Sequence, residues 1–92
     1  MSKTIVIYSK DYCPYCTQAK SLITAKGYSF TEYDIMNDPA LTTEMIERSG
    51  GRRTVPQIFI GDIHVGGASD LLALERQGTL DALLDSVEAN AA

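Results

Sequence analysis

Basic residues are scarce. Eight lysines and arginines stand against twelve aspartates and glutamates, a formal net charge of −4. A sequence-independent grip on nucleic-acid phosphates needs clustered Lys and Arg, so no nucleic-acid partner is expected. Long apolar runs are missing too. The longest near the start is Ile5-Val6-Ile7-Tyr8, far short of the ~20 residues that span a bilayer, so no membrane partner is expected. The first ten residues hold a lysine but no apolar stretch of the ~7–15 residues that mark a secretory signal. Cysteine is limited to Cys13 and Cys16, whereas a disulfide-stapled secreted scaffold carries about four or more. Repeats, linkers and low-complexity segments are absent. What remains suits one small domain over residues 1–92, with 45% hydrophobic and 22% charged residues.

The chain divides into eight elements. Thr4-Ile5-Val6-Ile7-Tyr8 is β-branched and nearly all apolar, as a strand covered on both faces requires. Pro14 suits the first position of a helix that carries Ala19, Leu22 and Ile23 and stops at Gly27. Ser29 to Ile35 reads as a second, less buried strand. Asp38-Pro39 caps and opens a helix with Leu41, Met45, Ile46 and Ser49 on one face, ended by Gly50-Gly51. Arg52 to Pro56 is a loop and Gln57-Ile58-Phe59-Ile60 a third strand. Gly61-Asp62 turns the chain into Ile63-His64-Val65. Gly66 to Asp70 leads into a helix with Leu71, Leu72 and Leu74, and Thr79 opens a last helix with Leu80, Leu83, Leu84 and Val87. Residues from Glu88 to Ala92 read as a frayed tail. The order β-α-β-α-β-β-α-α gives an α/β fold: a four-stranded mixed sheet with helices on both faces, its first half a right-handed parallel crossover.

The two cysteines close a trivial loop, so a bridge between them is a poor staple for the fold. Their position suggests chemistry instead. The thiolate is the nucleophile, and at a reference pKa of ~8.5 only about 3% of a thiol is ionised at pH 7. Cys13 precedes the helix, where unpaired N–H groups converge and the helix end offers ~0.3–2 kcal/mol to an anion. The N–H groups of Tyr15 and Cys16 can reach its sulfur; Pro14 has none. Lys10 adds positive charge three residues upstream. Cys13 is therefore expected to be the exposed, attacking thiol and Cys16 the covered, resolving one, through a mixed disulfide. A zinc half-site is the competing reading of C-x-x-C. A structural zinc site needs four ligands, and the chain supplies two Cys and one His. No metal is expected. His64 alternates with Ile63 and Val65 and is expected to point off the core face, outside catalysis. Tyr8, Tyr12, Tyr28 and Tyr33 are expected to pack, and the leucines of the last two helices to build core.

Cys13-Pro14-Tyr15-Cys16 after a strand, Thr54-Val55-Pro56 before another, and Gly66-Gly67-Ala68-Ser69-Asp70 opening a helix stand in this order within one short chain. Together they resemble a dithiol glutaredoxin, most like the bacterial glutaredoxin 3 type, over Ile5 to Leu84. The resemblance implies a thioredoxin-like fold and a cis peptide before Pro56. It implies a glutathione-dependent thiol–disulfide oxidoreductase in which Cys13 alone reduces glutathione mixed disulfides and Cys13 with Cys16 reduces protein disulfides. Glutathione is the co-substrate, and no cofactor is permanently bound. The implied glutathione-binding residues are Lys10, Tyr15, Arg52, Thr54, Val55, Pro56, Gly67, Ser69 and Asp70. Val55 pairs with the cysteinyl backbone, Ser69 and Asp70 take the γ-glutamyl end, Lys10 and Arg52 face the glycine carboxylate, and Tyr15 lies beside the sulfur. Ala68 departs from relatives that carry a larger residue or a Cys there.

The implied partners are glutathione, glutathionylated proteins and protein disulfides, that of ribonucleotide reductase among the candidates. The implied setting is a monomer in a reducing cytoplasm, with a potential of about −200 to −230 mV. Two alternatives stay open: a thioredoxin-like reductant served by a flavoprotein reductase, and a dimer that holds a [2Fe–2S] cluster through Cys13 and glutathione.

Overall fold

A computed structural model describes the backbone of residues 5–91 and the side chains up to residue 85. Its elements are β1 (Ile5–Ser9), α1 (Pro14–Ala25), β2 (Thr31–Asp34), α2 (Pro39–Arg48), β3 (Gln57–Ile60), β4 (Ile63–Gly66), α3 (Ala68–Gln77) and α4 (Leu80–Ala91). They form the expected mixed sheet in the order β2-β1-β3-β4. β1 pairs with β2 in parallel, Val6 opposite Thr31, and with β3 antiparallel, Ile7 opposite Ile58. β3 and β4 close the sheet as an antiparallel pair.

Side chains alternate across a strand, and here both sides are covered. Ile5, Ile7, Ile58 and Ile60 pack with Ala19, Ile23, Leu71, Leu80 and Leu84 from α1, α3 and α4. Val6, Tyr8 and Phe59 turn the other way, onto Met45 of α2. That explains why β1 and β3 read as apolar runs and not as alternating ones. The buried Tyr8 hydroxyl accepts a hydrogen bond from Arg48 Nη1 at 2.8 Å, while the same guanidinium lies over the Phe59 ring, 4.3 Å from its centroid.

Three boundaries move. β2 is shorter than the Ser29–Ile35 run. Pairing begins at Thr31, and at the other end the Asp34 carboxylate accepts the Met36 N–H at 2.8 Å, turning the chain away. α3 starts at Ala68, three residues before Leu71, because Asp70 reaches back to the Gly67 N–H at 2.9 Å and caps the helix early. The backbone of α4 is helical to Ala91, past Glu88 where the tail was expected; Ala92, the end of that tail, lies outside the described residues. Met1 to Thr4 lie outside them as well, so the expected start of β1 at Thr4 falls beyond the described chain.

This architecture puts three chain turns side by side at one end of the sheet: the β1–α1 turn with the cysteines, the loop before β3, and the entry to α3. Among the described residues no helix is long and apolar enough to cross a membrane.

Candidate active site

Cys13 is the N-cap of α1, in extended backbone, and Pro14 occupies the first turn as expected. The Cys13 sulfur accepts the Cys16 N–H at 3.3 Å, and lies 3.9 Å from the Val55 carbonyl oxygen. Both cysteines are free thiols. Cys13 is less exposed than expected, at 9%, against 1% for Cys16. The loop before β3 lies against the helix mouth and sets the Val55 carbonyl beside the sulfur. Burial pushes the Cys16 thiol up to about 11, and its hydrogen bond to Cys13 adds to this. A backbone hydrogen bond from Lys10 and the charge of Lys20 pull the other way. Cys16 thus keeps its proton near neutrality, which fits a second, resolving step. Of the two expected donors to the Cys13 sulfur, the structure supplies that of Cys16.

The Val55–Pro56 peptide is cis. The loop containing it faces the N-terminus of α3 across a groove of about 340 Å³. Tyr15, Arg52, Thr54, Val55, Pro56, Gly67 and Ser69, all expected at the site, line this groove. Gln18, Ala68 and Leu72 line it too. Gln18 was legible, because it sits three residues after Tyr15 and therefore on the same helix face. Leu72 is a correction: it was assigned to core, but α3 turns Leu71 inward and leaves Leu72 half-buried at the groove.

Asp70 is not among the lining residues, but it holds two that are, Gly67 and Arg52. Its carboxylate accepts the Gly67 N–H at 2.9 Å and pairs with Arg52 Nη1 at 3.3 Å. The Gly67 hydrogen bond, then the Arg52 guanidinium, hold the Asp70 carboxyl below its usual value of 3.8. Gly66 makes this approach possible. It has φ +114°, and a Cβ there would lie 2.9 Å from Asp70 Cγ and from Arg52 Nη1. Arg52 is therefore gathered with Asp70 and lines the groove with Ser69.

The loop is braced from beneath. Gln57, fully buried, donates from Nε2 to the Thr54 carbonyl at 3.0 Å and to Thr54 Oγ1 at 3.2 Å. Its Oε1 faces His64 Nε2 at 2.8 Å, so that nitrogen carries the hydrogen. His64 also stacks on Phe59 with ring centroids 4.8 Å apart. Burial, then the charge of Arg52, hold His64 below its usual 6.5. The sequence reading passed over Gln57. Its one signal was an amide in an otherwise apolar strand.

Lys10 lies on the far side of a ridge made by Tyr15, Thr54 and Val55. There a second groove, of about 390 Å³, contains Cys13 itself with Lys10, Tyr12, Pro14, Ile35 and Arg53. Tyr12 corrects another expectation. It does not pack: it is fully exposed and has φ +57°. Left-handed backbone costs a non-glycine residue about 1–2 kcal/mol, and a ring in solvent recovers none of that by packing. The sharp turn that swings the chain from β1 into α1 dictates the conformation.

Paired free thiols at a helix N-terminus, beside a cis-proline loop on a four-stranded mixed sheet, define a thiol–disulfide oxidoreductase. The comparisons with known proteins narrow the class. Residues 5–65 match the glutaredoxin family model. The chain is 54% identical over 80 residues to glutaredoxin 3 of Escherichia coli strain K12, covering 87% of this chain and 95% of that protein. It is 51% identical over 82 residues to a glutaredoxin of Pseudomonas aeruginosa, covering 89% and 96%. Among solved structures, a glutaredoxin–glutathione complex from buckwheat superposes with a TM-score of 0.85 at 30% identity, covering 95% of this chain and 81% of that one. Glutaredoxin from Brucella melitensis gives 0.78 at 53% identity, covering 90% and 89%. The chain belongs to the glutaredoxin family.

Proposed function

We infer that the protein is a glutathione-dependent thiol–disulfide oxidoreductase that uses Cys13 as nucleophile and Cys16 as resolving thiol. The observation that carries the reading is the Cys13 sulfur, fixed at the α1 N-terminus by the Cys16 N–H and set beside the Val55 carbonyl. A tripeptide laid along the first groove would pair its cysteinyl backbone with Val55, as one added rung of strand. Its γ-glutamyl carboxylate would meet the exposed Ser69 at the N-terminus of α3, where free N–H groups favour an anion. Its ammonium would meet Asp70. Arg52, beside Asp70, belongs to the γ-glutamyl end, while Lys10 marks the glycine end across the ridge. Tyr15 flanks the sulfur, and Thr54, Pro56 and Gly67 shape the walls.

In the monothiol reaction the Cys13 thiolate attacks the glutathione sulfur of a mixed disulfide. The target leaves with the electron pair of the broken S–S bond and takes up a proton. A second glutathione thiolate then attacks the Cys13 mixed disulfide and releases oxidised glutathione. With a protein disulfide, Cys13 forms the mixed disulfide with the target itself. Cys16 loses its proton, displaces the target and leaves a Cys13–Cys16 bridge. The raised Cys16 thiol postpones that step until Cys13 is engaged. The redox couple sits at about −200 to −230 mV. The protein acts as a cytoplasmic monomer on glutathionylated proteins and protein disulfides, that of ribonucleotide reductase among them.

A glutathione-coupled assay on a small mixed disulfide tests this. Wild type turns over; Cys13→Ser abolishes the reaction. Cys16→Ser keeps deglutathionylation and loses reduction of protein disulfides. Equal losses in the two single variants would refute the division of labour. Faster turnover with a flavoprotein reductase and NADPH than with glutathione would replace the electron donor.

A further inference from the structure

We propose that Gln57 and His64 are positioning residues for the reaction: together they aim the Val55 N–H outward, as the donor with which the cysteinyl backbone of the tripeptide pairs. The inference rests on the glutathione-dependent reading of the site. It names two residues outside the groove that decide how well the groove binds.

A peptide unit is planar, and in its trans form the C=O and the N–H point in opposite directions. The Thr54 carbonyl and the Val55 N–H belong to one such unit; the cis bond of this loop is the next one, Val55–Pro56. Gln57 Nε2 donates to the Thr54 carbonyl at 3.0 Å from a fully buried side chain. With its carbonyl drawn inward, the unit turns its N–H outward. Rotated by half a turn, it would offer the tripeptide an oxygen where a donor is needed.

His64 in turn sets Gln57. A side-chain amide can sit either way round, and here its neighbours choose. Its nitrogen meets the Thr54 carbonyl and, at 3.2 Å, Thr54 Oγ1; its oxygen meets His64 Nε2 at 2.8 Å. Turned over, the amide would set its oxygen against the Thr54 carbonyl oxygen, two acceptors with no hydrogen between them. It would also turn its own N–H groups onto the His64 N–H. The hydrogens therefore run one way, from His64 to Gln57 to Thr54. Packing gives little reason for this chain. Gln57 shares its face of β3 with Phe59, and Tyr8 stands opposite it in the ladder. Tyr8 and Phe59 belong to an apolar cluster, among which an amide is costly to bury.

Kinetics with the mixed disulfide of glutathione and mercaptoethanol test this, read beside the pH profile of Cys13 alkylation. Gln57→Met keeps the length of the side chain and removes its hydrogen bonds. It is expected to raise KM roughly three- to tenfold, as loss of an oriented hydrogen bond does. The kcat and the alkylation profile stay at wild-type values, a split that a purely structural role would not produce. His64→Phe keeps the stacking on Phe59 and loses the donor; His64→Gln keeps a donor and loses the stacking. KM is expected to rise about threefold or more in His64→Phe and to stay near wild type in His64→Gln. Packing alone gives the opposite order, which would overturn the inference even if Gln57→Met does not fold. A folded Gln57→Met variant with wild-type KM would overturn it too, and a shifted alkylation profile would move the effect from Val55 to the sulfur. The double variant should match Gln57→Met alone; additive losses would break the chain into two separate effects. Failure of wild type on this substrate would refute the glutathione-dependent reading, and this inference with it, whereas wild-type turnover with unmoved variants would refute this inference alone.

Discussion

The middle of the sheet and its rim obey different rules. In the middle, β1 and β3 carry β-branched and aromatic residues with extended backbone and complete burial on both faces. At the rim, a few residues break local preferences in close succession. Tyr12 is left-handed and exposed, Val55–Pro56 is cis, Gly66 has φ +114°, and a carboxylate and a guanidinium share one corner. The middle maximises packing; the rim gives some of it up to place a sulfur, a carbonyl and a helix end around a groove. Places where local rules fail while the global fold holds are where function concentrates.

The sharpest break of that contrast is a cavity in the middle. Ile60→Ala removes a side chain that is 1% exposed and should cost about 2–5 kcal/mol of stability, read by urea unfolding. Activity of the folded fraction should stay near wild type, because Ile60 touches none of the groove. A parallel loss of kcat/KM would show that the two regions are not separable.

At the rim the reverse is expected. Asp70→Ala should leave the fold standing but raise KM for glutathionylated substrate by roughly tenfold, about 1.4 kcal/mol. An unchanged KM would remove Asp70 from recognition. Gly66→Ala should reproduce part of the same KM effect without touching Asp70 chemically, since its methyl group would push the Asp70–Arg52 pair apart. It should also lower stability by about 1–3 kcal/mol, because alanine resists that backbone conformation.

The smallest effect links the two regions. His64 stacks on the core residue Phe59 and braces the loop through Gln57. Burial holds it below 6.5 in the folded chain, so the unfolded chain binds more protons between the two values. Its contribution to stability is complete above pH 6.5 and is lost as pH falls through the folded value. Asp70 and Glu32 are also depressed, from 3.8 and 4.5, so their contributions fade only at lower pH. A modest fall in melting temperature between pH 7 and 5 should therefore flatten in His64→Gln. An identical slope in that variant would place the effect elsewhere.

Much of this was legible in the residues. The proline at the start of α1, the Asp38 cap and the apolar runs placed the elements within a few residues, because each acts on the backbone of its own neighbourhood. The motif residues were legible by resemblance, and most of them do line one groove. Local patterns failed where the neighbour came from far along the chain. Cys13 was expected to be exposed, but a loop some forty residues on lies against it. Tyr12 was expected to pack, but the β1–α1 turn leaves its ring nothing to meet. Leu72 carries the same apolar signature as Leu71, and only the rotation of α3 separates groove from core.

By itself the sequence determined the elements, their order and the chemistry available: two thiols at a helix start, a proline loop and a glycine-opened helix. Periodicity, capping and side-chain reactivity are properties of short segments, so a short segment reveals them. Tertiary structure alone decided which carbonyl lies against the Cys13 sulfur, that Arg52 pairs with Asp70, and that the sulfur opens beside Tyr12. Those relations depend on three turns brought together by sheet pairing and two-sided packing, and no single segment contains the forces that join them.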